Sequence, residues 1–186
     1  MNIQRNIGRL SIEETALLVI DIQERLMPVI HNPTMIFENT NRLLKGAEVL
    51  DLPILISEQY PKGLQHTCRQ IELPGDYALF EKICFSCIQS DPIVDKLRSL
   101  SIKSLIVCGV EAHICVLKTV LDALQEGFDV HVIADAVSSR TPANRQLALD
   151  RMRQSGAFIA STEMVLFQLI ETAGNQTFKQ ISGIIK

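Results

Sequence analysis

The sequence predicts an α/β fold in which a parallel sheet carries helices on both faces. Short apolar segments alternate along the chain with segments of helical periodicity, and the first apolar segment, residues 16–20, contains no polar side chain. A strand that is apolar on both sides is typical of a parallel sheet with both faces covered. We therefore predict a Rossmann-like three-layer sandwich around a six-stranded parallel sheet.

The first half of the chain supplies three strands. Residues 16–20 form an uninterrupted apolar run, and residues 34–50 follow with apolar side chains at helical spacing. Residues 53–57 are predicted as the second strand and residues 79–80 as a short third one. Between them, residues 58–76 are polar and contain glycine and proline, which predicts a loop long enough to have a function.

The second half of the chain continues the alternation. A helix over 92–100 leads to the fourth strand at 105–108, and the next helix is predicted over 112–125. The remaining predicted elements are strands at 130–133 and 158–160 and helices over 143–154 and from 163 onward. Because no linker or repeat divides the chain, we expect a single domain over residues 1–186.

Two residues mark the edge of the sheet where a ligand is expected. In a sheet of order 3-2-1-4-5-6, strands one and four are neighbours, and ligands bind beyond their carboxyl ends. Asp21 ends strand one, and Cys115 follows strand four near a predicted helix start. The N–H groups at a helix start stabilise negative charge and lower the pKa of a thiol. A reactive thiol is therefore one reading of Cys115, and a small buried side chain is the other.

Composition excludes several classes of function. The net charge of −3 and the absence of tryptophan argue against a nucleic-acid partner, and no apolar run reaches the length of a membrane span. Five cysteines, an odd number, do not suit a secreted disulfide scaffold. We expect a reducing compartment, namely the cytoplasm, and leave a mitochondrial location open.

Several motifs together carry a resemblance to a known family. They are Leu-Val-Ile-Asp-Ile-Gln at 18–23, Phe-Glu-Lys at 80–82, Gly-Val-Glu at 109–111 with Cys115, and Asp-Ala-Val-Ser-Ser-Arg at 135–140. In this order and spacing the chain resembles the isochorismatase-like cysteine hydrolases. Residues 58–63 and 151–156 look closest to the branch called isochorismatase domain-containing proteins. The resemblance also implies a homo-oligomer.

The resemblance implies a catalytic triad of Asp21, Lys82 and Cys115. The ammonium of Lys82 would favour the thiolate of Cys115, which is the form of cysteine that attacks. Asp21 would take the thiol proton and return it to the leaving group. Taken alone, Asp21 reads as a turn residue and Lys82 as a surface lysine, so only their joint match supports the triad.

The resemblance also implies how the backbone and nearby side chains would serve the substrate. It places a cis peptide at Val110-Glu111 and an oxyanion hole made by the backbone N–H groups of Glu111 and Cys115. Tyr60 lies in the loop expected to roof the pocket, and His113 lies two residues before Cys115. We expect Tyr60, His113 and Gln23 as possible substrate contacts.

Departures from related enzymes narrow the expected reaction. Nicotinamidases of this superfamily carry metal-binding Asp-x-His residues after the second strand, where this chain has Glu58-Gln59-Tyr60. We therefore expect no metal, no cofactor, and hydrolysis of a small amide or related carbonyl compound through a thioester. Two alternatives remain open: a vinyl-ether hydrolase of the isochorismatase type, and a binding protein that retains the fold with little turnover.

Other cysteine patterns offer rival chemistry. Cys84 and Cys87 have the spacing of a redox pair or of half a metal site. Cys68 lies near His66 in the long loop. The chain has no second Cys-x-x-Cys, and no strand of a thioredoxin-like βαβ unit precedes this one, so we expect the spacing of Cys84 and Cys87 to be adventitious. We expect no metal at Cys68 and His66.

Overall fold

A computed structural model describes residues 7–186, and its centre is a sheet of six parallel strands. The strand order is β3-β2-β1-β4-β5-β6, and all pairings are parallel. The strands are β1 (Thr15–Ile20), β2 (Ile54–Gln59), β3 (Ala78–Lys82), β4 (Ser104–Gly109), β5 (Asp129–Val137) and β6 (Phe158–Ala160). The predicted fold class and strand order are confirmed.

Helices cover both faces of this sheet. They are α1 (Pro33–Val49), α2 (Pro61–Leu64), α3 (Asp91–Ser99), α4 (Leu117–Gln125), α5 (Pro142–Gln154), α6 (Thr162–Gln168) and α7 (Gln176–Ile185). Apolar residues of α1, α6 and α7 pack into one core cluster, and those of α3, α4 and α5 pack into a second. Within the described residues, no helix combines the length and apolar character that crossing a membrane requires.

The two cores explain why the first strand is entirely apolar. Leu17 and Val19 belong to one core cluster, whereas Leu18 and Ile20 belong to the other. Successive side chains of a strand point to opposite faces, so both sets are buried. The two core layers place β1 at the centre of the sheet and its carboxyl end at the switch point between β1 and β4.

Besides the π-helical turn at Ala112–Val116, which opens the helix predicted over 112–125, the structure differs from the predicted elements in three places. The loop predicted over 58–76 includes the end of β2 and the short helix α2, which begins at Pro61, a favourable first residue. A helix of four residues is too short for periodicity to show it. The single helix predicted from 163 is two helices, because Asn175 accepts a hydrogen bond from the N–H of Phe178 and starts α7.

The third difference concerns β5, which is longer than the prediction of residues 130–133. It continues to Val137, and its pairing with β4 shifts register between Val107 and Gly109. Such a bulge lets a strand continue through an irregular stretch. The longer strand carries the chain to Ser138, whose carbonyl accepts from the N–H of Ala112.

Candidate active site

The carboxyl ends of β1 and β4 approach each other closely at a glycine. Ile20 pairs with Gly109, and the carbonyl of Ile20 accepts from the N–H of Val110 at 2.9 Å. Gly109 has φ of +115°, and a Cβ there would lie 2.0 Å from the carbonyl oxygen of Ile20. Only glycine allows this approach, which brings the segment after β4 beside the residue after β1.

Asp21 is held rigidly at the end of β1. Its side chain is fully buried, and its φ of +53° lies in the left-handed region that aspartate tolerates. The hydroxyl of Ser57 donates to Asp21 Oδ1 at 2.7 Å, and the N–H of Asp21 donates to the carbonyl of Ser57 at 3.1 Å. β2 therefore fixes both the backbone and the carboxylate of Asp21.

Lys82, the last residue of β3, reaches the same carboxylate. Its Nζ lies 2.7 Å from Asp21 Oδ2, and both side chains are 0% exposed. The same ammonium donates to Gln59 Oε1 at 2.8 Å and to the carbonyl oxygen of Phe85 at 3.2 Å. These acceptors match the three N–H groups of an ammonium, so the buried charge is fully solvated by protein.

Cys115 approaches the same carboxylate. It belongs to a single π-helical turn, Ala112–Val116, which leads into α4, and it is only 6% exposed. Its thiol hydrogen-bonds to Asp21, and the charge of Lys82 also acts on it. The structure thus brings Asp21, Lys82 and Cys115 together from three separate segments of the chain.

The electrostatics of the thiol run opposite to the sequence-based expectation. Burial raises the pKa of Cys115, and the nearby charge of Asp21 raises it further, although Lys82 opposes both. Burial likewise raises the pKa of Asp21 against the lowering effect of Lys82. Cys115 is therefore a protonated thiol at neutral pH, and its reactivity requires a base in contact with it.

Lys82 keeps its proton despite being buried. Burial is the largest single influence on the pKa of Lys82 and lowers it, but the negative charge of Asp21, the nearby Cys87 and Cys115 and the hydrogen bond to Asp21 together outweigh burial, so the net direction is upward. An ammonium bonded to a carboxylate in this way is a fixed positive charge. The resting site consequently holds one ion pair beside one neutral thiol.

The turn that carries Cys115 has an irregular backbone. The peptide bond between Val110 and Glu111 is cis. The carbonyl of Glu111 accepts from the N–H groups of Ile114 and Val116, which flank Cys115. The carboxylate of Glu111 is also engaged, since Arg140 Nε lies 3.0 Å from its Oε2.

Of the three expected substrate contacts, Gln23 has its side chain bound by the protein. Its Nε2 donates to the carbonyl oxygens of Gln59 and Gln65, at 3.0 and 2.6 Å, and its Oε1 accepts from the N–H of Gln59 at 2.8 Å. The side chain is fully buried. Gln23 therefore joins the segment after β1 to the end of β2 rather than offering its amide to a ligand.

Tyr60 and His113 lie nearer to solvent. Tyr60 is 52% exposed, and its ring packs over Gly63, where an added Cβ would lie 2.5 Å from the ring. His113 is half-buried, with its Nδ1 3.0 Å from Ser139 Oγ and its Nε2 3.4 Å from Asn144 Nδ2. Tyr60 is thus free to meet a ligand, whereas His113 already has protein partners on both ring nitrogens.

Sequence reasoning missed Ser57 and Gln59 as site residues. They lie two positions apart near the end of β2, so both side chains point to the same face. Each contacts one charged member of the site, Ser57 the carboxylate and Gln59 the ammonium. The signal that could have identified them is the change from apolar to polar residues at 57–59, the carboxyl end of the strand.

The surroundings of the other cysteines and of His66 are as follows in the described residues. All five cysteines are free thiols, and Cys87 is buried with its Sγ 3.5 Å from Ser57 Oγ. Across residues 7–186, no three His, Cys, Asp or Glu side chains are grouped as metal ligands. His66 pairs instead with Glu58, at 2.9 Å, and Thr67 donates twice to the same carboxylate.

Comparison with known proteins gives a consistent result. The isochorismatase domain matches residues 15–164. Isochorismatase domain-containing protein 2A of Mus musculus is 41% identical over 182 residues, covering 97% of this chain and 87% of the mouse protein. The alignment therefore extends along almost the whole of both chains.

Solved structures share the fold as well. The MAR1 ribonuclease of Caenorhabditis elegans superposes with a TM-score of 0.90 and 35% identity, covering 95% of this chain and 92% of the other. The YcaC gene product of Escherichia coli, an octameric hydrolase of unknown specificity, gives a TM-score of 0.80 and 25% identity, covering 89% and 84%. With a domain match over most of its length and relatives aligned nearly end to end, the chain belongs to the isochorismatase family and has its hydrolase fold.

Proposed function

We propose that this protein is a cysteine hydrolase that cleaves a small amide or a related carbonyl compound through a thioester on Cys115. The observation that carries the proposal is the contact between the Cys115 thiol and Asp21, a buried carboxylate that is ion-paired with Lys82. A thiol, a base that touches it and a third group that orients the base are the parts that nucleophilic catalysis requires.

The first half of the reaction forms the thioester. Cys115 Sγ attacks the carbonyl carbon while Asp21 takes the thiol proton. The carbonyl oxygen becomes an oxyanion, and collapse of this tetrahedral species breaks the C–N bond as Asp21 returns its proton to the leaving amine. The proton moves between two groups of one buried site, and Lys82 remains beside them as a fixed positive charge.

The second half restores the enzyme. A water molecule attacks the thioester carbon while Asp21 again accepts a proton, and the tetrahedral species expels the sulfur of Cys115. Asp21 gives the proton back to the departing thiolate, leaving the free acid and the resting thiol. A raised pKa of Asp21 suits a group that alternately accepts and donates a proton.

Backbone N–H groups of Glu111 and Cys115 would stabilise the oxyanion. Within the π-helical turn, the Glu111 carbonyl accepts hydrogen bonds from the N–H groups of the two residues that flank Cys115. We propose that the N–H of Cys115 itself points towards the substrate oxygen, with that of Glu111 as its partner. A single donor of this kind typically contributes on the order of 10²–10³ in rate.

The proposed reaction needs no metal or other cofactor. The base, the fixed positive charge and the nucleophile are all supplied by side chains of the chain. Glu58 belongs to the segment where nicotinamidases carry their metal-binding residues. In this chain its carboxylate is hydrogen-bonded to His66 and Thr67. That carboxylate therefore holds the loop after β2 in place.

A homo-oligomer and a small-molecule substrate complete the proposal. Ile83 and Phe85 lie one and three residues after Lys82 and are 79% and 51% exposed, which suits contact with a substrate or another subunit. The E. coli relative is octameric. The net charge of −3 does not favour RNA or an anionic membrane as partner, and we place the protein in the cytoplasm.

A substrate screen tests the proposal. We would incubate the protein with a panel of small amides and measure release of ammonia or amine, and repeat positive reactions with Cys115→Ala. Cys84→Ala is the matched control, because Cys84 is a free and less buried thiol. Activity in the wild type and in Cys84→Ala, lost in Cys115→Ala, supports the proposal. Undiminished activity in Cys115→Ala refutes it.

Vinyl-ether hydrolysis is the second candidate. Burial raises the pKa of Asp21, and a carboxyl group with a raised pKa can act as a general acid towards an enol ether. Cys115 would then take no part in the reaction. Isochorismate cleavage that survives Cys115→Ala but not Asp21→Asn would favour this candidate over the first.

The same screen should include an RNA substrate. The C. elegans relative is described as a ribonuclease. A labelled single-stranded RNA incubated with wild type and with Asp21→Asn would test whether that activity extends to this chain. Cleavage lost in Asp21→Asn would replace the small-molecule proposal.

A further inference from the structure

Gln59 contacts the ammonium of Lys82 from the neighbouring strand. It is the last residue of β2, buried, and directly opposite Lys82 in the parallel register. Its Oε1 accepts from Lys82 Nζ at 2.8 Å, and its Nε2 donates to the carbonyl of Ile83 at 2.6 Å. We propose that Gln59 is a positioning residue that holds Lys82 in place while Asp21 carries the proton from Cys115.

The partners of Gln59 fix the orientation of its side-chain amide. An ammonium can only donate and a carbonyl can only accept, so Oε1 must face Lys82 and Nε2 must face Ile83. The reversed amide would lose both hydrogen bonds in a buried place, which costs more than exchanging them with water. Gln59 therefore ties Lys82 and the segment that follows it to β2 in one arrangement.

Gln23 clamps the backbone of Gln59 on both sides. Its Oε1 accepts from the N–H of Gln59, and its Nε2 donates to the carbonyl of the same residue. Gln23 lies two positions after Asp21. A pair of glutamines thus links the segment that carries the base to the residue that holds the ammonium, independently of the ion pair itself.

This second link matters when the ion pair is weakened. The inference rests on the proposed proton transfer, after which Asp21 is neutral and its bond to Lys82 is no longer between opposite charges. The remaining acceptors of the ammonium are then Gln59 Oε1 and the carbonyl of Phe85. Held by them, the positive charge stays near the sulfur of Cys115, where negative charge develops.

If the ammonium of Lys82 moved away, the titratable groups that face it would lose its positive charge. The titratable groups facing it are Asp21 after β1, Cys87 in the turn before α3, and Cys115 in the π-helical turn. Lys82 lowers the pKa of Cys115 against burial and Asp21. An ammonium that is free to move away lowers it less, so the fraction of thiolate falls.

Alkylation of Cys115 by iodoacetamide measures this directly and needs no substrate. The variants are Gln59→Met, which keeps the chain length but removes both hydrogen bonds, and Gln23→Met, which removes the clamp. Gln125→Met, at the exposed end of α4, is the matched control. Rate constants at pH 6–9 would be obtained by mass spectrometry of the Cys115 peptide, with thermal melting as the check of folding.

We expect Gln59→Met to slow alkylation about tenfold at each pH, the equivalent of one pKa unit. Gln23→Met should slow alkylation less than Gln59→Met does. If Gln59→Met does not fold, the rate for Gln23→Met tests the positioning role instead. General loosening of the site would expose the thiol and speed alkylation instead. Rates in the folded variants equal to, or above, that of Gln125→Met would overturn the positioning role.

The same data separate this inference from the hydrolase proposal. If amides are cleaved equally well by Cys115→Ala but Gln59→Met still slows alkylation, the positioning role stands and the hydrolase proposal fails. If amides are cleaved through Cys115 but Gln59→Met alkylates like Gln125→Met, the positioning role alone is rejected.

Discussion

The floor and the rim of the candidate site differ in how tightly the protein fixes them. The floor, which we define as Asp21, Ser57, Gln59 and Lys82, is at most 9% exposed, and its side chains bond to one another at 2.7–2.8 Å. The rim, which we define as Tyr60, Ile83 and Phe85, is 51–79% exposed. The rim residues are held through their backbones while their side chains face solvent.

The difference separates chemistry from substrate choice. Buried polar groups are stable only when each has a partner, so the floor tolerates few alternatives. Exposed side chains carry no such requirement and can adapt to a ligand or to another subunit. We therefore expect floor substitutions to slow the reaction or destabilise the fold, and rim substitutions to alter which substrate is used.

The largest expected effect comes from removing the base of the floor. Asp21→Asn keeps the shape of the side chain but cannot accept the thiol proton, so kcat/KM should fall about 10²–10⁴-fold. The measurement is initial rates with the best amide from the screen, with the exposed Asp95→Asn as control. A loss of less than tenfold would show that the floor does not supply the base.

Lys82→Met tests how much the buried ion pair contributes to stability. Removing the ammonium leaves the carboxylate of Asp21 buried without its partner, which should cost about 3–5 kcal/mol in the free energy of unfolding. Urea unfolding at pH 7 measures it. Lys103→Met, which removes an exposed partner of Glu14, should cost less than about 1 kcal/mol. Equal costs for the two variants would contradict the assignment of Lys82 to a fully buried site.

The sequence predicts some features of the candidate site but not others. The apolar run of β1 and the polar residue that ends it made the switch point predictable, and the joint match of Asp21, Lys82 and Cys115 to one family predicted a candidate site that still awaits its experimental test. The hydrogen bonds of Ser57 and Gln59 were not predictable, because they depend on register between strands that are distant in sequence. The direction of the Cys115 pKa was missed for a related reason, since burial and Asp21 oppose the effects of Lys82.

A buried histidine outside the site shows what an incompletely bonded polar group does. His131 on β5 is buried with its Nε2 unpartnered within the described structure, and burial lowers its pKa to about 4. An unfolded histidine binds a proton near pH 6.5, so stability is lost as pH falls from there towards 4.

Between pH 7 and pH 5 we expect His131 to contribute about 2 kcal/mol to the fall in the free energy of unfolding. Urea unfolding at both pH values measures this. The free energy of unfolding of His131→Leu should fall by about 2 kcal/mol less than that of the wild type, whereas that of the exposed His31→Leu should fall as in the wild type. The same pH dependence in His131→Leu as in the wild type would show that His131 is not the group responsible.

The smallest expected effect belongs to the rim. Tyr60→Ala removes an exposed ring that rests on Gly63, so the fold and the base should be unaffected. We expect KM to change by about tenfold or less, with kcat nearly constant, because lost binding contacts act on ground and transition states alike. If kcat falls about as far as in Asp21→Asn, Tyr60 belongs with the floor.

The central claim is that Cys115 forms a covalent bond to the substrate while Asp21 carries its proton. The most direct test is to stop turnover of the best amide with acid and weigh the intact protein. We predict an added mass equal to the acyl group, located on Cys115 and removed by hydroxylamine. Asp21→Asn and Cys115→Ala should not acquire it. Full turnover by Cys115→Ala, with no added mass on the wild type, would contradict the claim.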